Sequence, residues 1–265
     1  MKSVWRLWLT MCLLGAWAGV GLAHAGALED VQAKKQVRVC IWPDYFGISY
    51  RDPKTRQLSG IDVDMAKLLA DDLKVELQFV DSSFSRLVED LTQSRCDIAM
   101  FAIGITPQRL QHLRFTKPHL ASDIMAITTK SNRRIQNWSD IDAPTTVVAV
   151  AKGTLHESVM KSRLQHAELK VLDTPGAREQ EVESGRADVF MTDYPFSQRM
   201  LKTTDWARLV TPPSTYHITP YAWAVKPGEE PWLERVNQFL IKSKNNGSLK
   251  QAAQRHGLTP IVLLD

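Results

Sequence analysis

From Val37 onward, short apolar runs and amphipathic stripes take turns along the chain. Residues 37–42 form a compact run with strand character. After the turn-rich Arg51-Asp52-Pro53, residues Ile61, Met65, Leu68, Leu69 and Leu73 recur three or four apart, which predicts one buried helix face. Residues 75–80 predict a strand. Phe84, Leu87, Val88 and Leu91 predict a second helix capped by Ser82 or Ser83, and residues 97–101 a third strand. Short strands separated by helices imply βαβ units and a parallel sheet.

The alternation then restarts. Residues 145–150 predict a strand, and Leu155, Val159, Met160 and Leu164 a helical stripe. A strand over 169–172, a helix over 178–184 ending at Gly185, and a strand over 187–191 follow. A second α/β unit therefore spans about residues 124–217. Two closing helices are expected over 232–243 and 248–255, with Pro231 suited to the opening of the first and Asn246-Gly247 to its end. The fold class is α/β, with mostly parallel sheets flanked by helices.

The first 25 residues follow another pattern. Lys2 and Arg6 precede a charge-free apolar stretch over residues 7–23, and Ala23-His24-Ala25 offers the small residues a signal peptidase reads. This predicts a secretory signal cut before Gly26 and an exported, soluble product. Cys12 lies inside the stretch without the small residues that would precede a lipid site.

Composition narrows the function. With 33 Lys and Arg against 29 Asp and Glu, the formal charge is +4. Removing Lys2 and Arg6 leaves 31 against 29, a net of +2, spread rather than striped. That disfavours a nucleic-acid partner. Cys40 and Cys96 remain after cleavage. On parallel neighbouring strands their stagger is about three residues, or ~10 Å of rise, beyond the ~7 Å Cα limit for a bridge. Two free thiols are the expectation.

Catalytic and cofactor motifs are missing. The chain has no GxGxxG, no P-loop and no GxSxG, and His156-Glu157 lacks the second histidine a zinc helix needs. Histidines 112, 119, 156, 166, 217 and 256 show no ligand spacing and read as surface or capping residues. Glu89-Asp90 and Asp71-Asp72 read as solvated helix faces. No metal, cofactor or catalytic residue is assigned.

Polar residues gather instead at strand-to-helix junctions, where α/β sheets place their ligands. Thr106-Pro107-Gln108-Arg109 follows the third strand. Gly153-Thr154 follows the strand ending at Val150, and Thr154-x-x-Glu157 reads as a capping box whose free amides suit a carboxylate. Thr192-Asp193 follows the strand ending at Met191 and offers an acceptor for an ammonium group. Taken singly, Arg109 reads as a surface arginine and Thr154 and Asp193 as caps. Converging from two units, they would hold a zwitterion at both ends.

These residues carry a resemblance. Leu58-Ser59-Gly60-Ile61-Asp62-Val63-Asp64-Met65-Ala66 resembles a segment of the periplasmic solute-binding proteins of the polar amino-acid class, the bacterial extracellular solute-binding protein family 3. So do Cys96-Asp97-Ile98-Ala99-Met100, Ile105-Thr106-Pro107-Gln108-Arg109, Lys152-Gly153-Thr154, and Gly185-Arg186-Ala187-Asp188 leading to Thr192-Asp193. The resemblance implies two lobes, residues 26–120 with 221–265 and residues 121–220, joined by hinges near 119–125 and 216–224. It implies a ligand cleft between them that closes by hinge rotation. Arg109 would bind the ligand carboxylate with the backbone at Thr154 and Leu155, Asp193 the α-amine, and Tyr45 would pack on the side chain. A monomer delivering its cargo to an inner-membrane ABC permease is implied.

Some positions depart from the family. Members often carry hydroxyl groups or glycine where Phe101, Ala102 and Gly104 stand here, and cationic-amino-acid binders an acid at Trp42 and an aromatic at Ile61. A preference for an uncharged, apolar or aromatic amino acid over lysine, arginine and histidine follows. The same scaffold includes a periplasmic cyclohexadienyl dehydratase, whose catalytic glutamate is replaced by Phe196. A sensing or accessory role beside a membrane receptor or redox enzyme is the third reading.

Overall fold

The computed structural model describes residues 26–174 and 176–265; the expected signal sequence lies outside the described residues. The run beginning at Val37 becomes the strand Gln36–Ile41, flanked in parallel by Glu76–Asp81 and Ile98–Gly104. Every residue of Ile98–Gly104 is buried, as expected of a central strand covered on both faces. Thr219–Val225 runs antiparallel beside it, and Arg114–Phe115 and Leu120–Ser122 both pair with Thr219–Val225. The sheet has six strands.

Helix Ile61–Leu73 covers this sheet with Ile61, Met65, Ala66 and Leu69, all fully inaccessible. Helices Glu230–Asn245 and Ser248–Arg255 add Trp232, Val236, Leu240 and Leu249 to the same core. At ~25 cal/mol per Å² of apolar surface removed from water, such large side chains dominate the stability of this lobe.

The second sheet has five strands, in the order Glu168–Leu172, Val147–Ala151, Val189–Thr192, Met125–Thr129, Ala207–Val210. The first three are parallel and the last two antiparallel to their neighbours. Its side chains alternate between faces: Val148, Val150, Val189 and Met191 pack in one cluster, Ala149 and Phe190 in another. Two short segments cross between the sheets. Asp123 ties them together, its carboxylate accepting from the backbone N–H groups of Tyr216 (2.9 Å) and His217 (2.6 Å).

Three expectations need correction. Cys40 and Cys96 form a disulfide, with Cα atoms 5.6 Å apart. The stagger is as expected, since Cys40 faces Ala99. But Cys96 precedes the strand, just after the left-handed turn at Ser94 (φ 55°), so the rise of an extended strand does not apply to it. Second, helix Leu87–Thr92 starts later than expected, with no serine cap. Ser82 instead donates to Asp90 (2.6 Å), a carboxylate that is 1% exposed rather than solvated. Third, His119 and His156 are buried.

Candidate functional site

Thr106 caps the short helix Pro107–Leu110, its side chain accepting from Arg109 N–H at 3.2 Å, with Pro107 opening the turn. This swings Arg109 from the sheet edge into the space between the lobes, where it is 9% exposed. Its guanidinium donates to the carbonyls of Gly104 (2.8 Å) and of Gly153 in the other lobe (3.0 Å), and lies over the Phe84 ring. Burial lowers its pKa to about 10, which still leaves it charged at neutral pH.

Opposite stands the start of helix Leu155–Arg163. The expected reciprocal capping box does not form. Glu157 accepts from Gly153 N–H at 2.6 Å, while the Thr154 hydroxyl turns back to donate to the Ala151 carbonyl at 2.7 Å. The first-turn amides therefore lack a threonine cap, and they have no partner within their own helix. Gly153 takes φ +76°, and a Cβ there would lie 2.7 Å from the Ser85 backbone nitrogen, so glycine alone lets the lobes approach here.

Asp193 is the helix cap read from sequence. One oxygen caps helix Tyr194–Thr203 by accepting from Phe196 N–H (3.2 Å); the other accepts from the hydroxyls of Tyr45 and Tyr221. Burial raises its pKa above the usual carboxylate value, and the hydrogen bonds from Tyr45 and Phe196 oppose the rise. A buried carboxylate can pair with a cationic group.

A cavity joins these elements. Of the residues expected from sequence, Trp42, Tyr45, Ala102 and Gly104 line it, as do Arg109, Thr154, Leu155 and Asp193. Phe101 does not: it is fully buried in the core, edge-on to Phe84, because alternate residues of a strand face opposite ways. Ile61 is likewise inside the core. Ala102 sits at φ +48°, a strained setting for a side-chain-bearing residue, held by the bond from its N–H to Asp62 (2.7 Å).

Sequence reasoning missed Phe84, His156, Arg178, Phe196 and Tyr221 as lining residues. Arg178 had a readable signal. It follows Thr174-Pro175 at a strand-to-helix junction, much as Arg109 follows Thr106-Pro107. For His156 there was none, since a histidine one turn into a helix can face either way. Among the described residues no group of three or more His, Cys, Asp or Glu is placed to hold a metal ion.

Two sheets joined by paired crossing segments, with a cavity between them, define a two-lobed solute-binding fold. Residues 37–259 match the bacterial extracellular solute-binding proteins, family 3, and the chain belongs to that family. It is 29% identical over 252 residues to a cyclohexadienyl dehydratase of Pseudomonas aeruginosa, covering 94% of this chain and 93% of that one. It is 22% identical over 247 residues to an L-cystine-binding protein of Escherichia coli, covering 93% and 92%. The solved structure of an ancestral amino acid-binding protein, described as a precursor of cyclohexadienyl dehydratase, is similar with a TM-score of 0.80. It is 29% identical, over 86% of this chain and 98% of that one.

Proposed function

We propose that this protein binds a small amino acid in the periplasm and hands it to an ABC importer. Arg109 and the first amides of helix Leu155–Arg163 take the carboxylate, and Asp193 the ammonium group. Tyr45 covers the side chain. Residues 26–120 with 221–265 then move as one lobe and residues 121–220 as the other, about the crossing segments at Asp123 and Tyr216. The observation that carries this reading is one cavity lined by a buried arginine from one lobe and a buried aspartate from the other. Among the described residues Asp193 is the only carboxylate lining it, which supports selection against cationic side chains.

A thermal-shift screen of the twenty amino acids tests it. A ligand at a hundredfold excess over its Kd stabilises the fold by ~2.7 kcal/mol. No shift with any amino acid would overturn the proposal. The similarity to a dehydratase favours a second reading. Against it, Phe196, at the position of that enzyme's acid, lines the cavity and cannot donate a proton. Turnover of arogenate or prephenate would restore it.

A further inference from the structure

Buried polar atoms are nearly always hydrogen-bonded, so clustered exceptions point to a missing partner. Among the described residues, six buried side-chain atoms lack one, and three of them lie together on this cavity: both ring nitrogens of His156 and the hydroxyl of Thr192. His156 is 7% exposed and Thr192 fully inaccessible. The His156 ring lies near the Thr192 backbone without reaching hydrogen-bond geometry.

Beside them lies Arg178, whose charge is already matched. It donates to Glu179 (3.0 Å) and to the Met191 carbonyl (3.1 Å), and its guanidinium lies over Phe196 at 4.2 Å. His156 is neutral, its pKa lowered to about 3 by burial and then by the charge of Arg178. This corner therefore offers donors and acceptors but no unmatched charge.

Three side-chain classes can be weighed against that corner. An apolar one would leave the His156 nitrogens and the Thr192 hydroxyl unsatisfied, each with the full desolvation penalty of a buried polar group. A charged one would be stripped of water with no free counter-charge. Only an uncharged hydrogen-bonding side chain meets both conditions.

Resting on the amino-acid reading above, we infer that His156 and Thr192 form the side-chain subsite and select a neutral hydroxyl or carboxamide. This replaces the apolar or aromatic preference expected from sequence.

Calorimetry with near-isosteric pairs decides it. Threonine should bind about tenfold or more tighter than valine, and asparagine than leucine, as one or two added hydrogen bonds imply. Aspartate and lysine should bind more weakly than asparagine. His156→Leu and Thr192→Val should bring the threonine-to-valine ratio towards one, a change in selectivity that a general structural role would not produce. Should either variant fail to fold, the ratios on the unmodified protein still decide. Valine and leucine equal to their polar partners, or aspartate or lysine as the best ligand, would overturn this inference and leave the amino-acid reading standing. Absence of binding by every amino acid would remove both.

Discussion

Two buried polar clusters, the Asp62 carboxylate on one wall of the cleft and the His156–Thr192 pair on the other, are treated differently. Behind the six-stranded wall, Asp62 is fully inaccessible and takes three donors: Ala102 N–H (2.7 Å), Trp223 Nε1–H (2.8 Å) and His119 Nε2 (3.0 Å). On the five-stranded wall, Thr192 is as deeply buried and His156 is 7% exposed, and neither side chain has a hydrogen-bond partner. The satisfied Asp62 carboxylate holds a shape, here the strained turn of Ala102 under the cavity, although Nδ1 of His119 behind it has no partner. An unsatisfied cluster costs stability, and persists where something else completes it. One wall is scaffold and the other is reader.

The sharpest way to break this contrast is to remove one carboxylate and one imidazole. Asp62→Ala strands three buried donors and should destabilise the protein by ~3–5 kcal/mol in urea unfolding. His156→Leu removes two buried nitrogens without partners and should leave stability unchanged or raise it by ~1 kcal/mol. Equal losses would end the distinction. Reduction of Cys40–Cys96, which closes a separation of 56 residues in the scaffold lobe, should cost ~2–5 kcal/mol, read as a fall in urea midpoint with dithiothreitol.

Arg109→Ala and Asp193→Ala each leave a charged ligand group unpaired in a closed cavity, which should weaken affinity by ~2–5 kcal/mol. Asp193→Ala should also lower the melting temperature, since it loses the cap of its helix and strands the Tyr45 and Tyr221 hydroxyls, whereas Arg109→Ala should shift it less. Normal affinity in both folded variants would refute the zwitterion site. The smallest effect concerns pH. Burial raises the Asp193 pKa, so its contribution to folding is stabilising below 3.8 and is lost as pH rises through the raised value. The ligand's ammonium group favours the ionised form, so affinity should fall as pH drops through that value, beginning above 3.8. Calorimetry across that range should show proton release on binding, and a flat profile would mean that Asp193 does not meet the ammonium group.

Much of this was legible in the chain. The spacing of Ile61, Met65 and Leu69 marks a helix face because one turn returns the side chain to the same side, whatever the helix packs against. Helix Ser248–Arg255 starts and stops where the glycine and the periodicity place it. The junctions holding Arg109, Thr154 and Asp193 could be located because a strand edge followed by a helix start is a local pattern. Their convergence on one cavity could be expected only through the resemblance of motif order. What the sequence determined by itself was therefore local: period, caps and junctions, each set by interactions within a few residues. Tertiary structure decided the rest. The Cys40–Cys96 bridge depends on how a turn enters the sheet, the retreat of Phe101 on which strand face meets the core, and the isolation of His156 on what the opposite lobe brings near. Each is a contact between residues far apart in the chain, whose energy no short window of sequence contains.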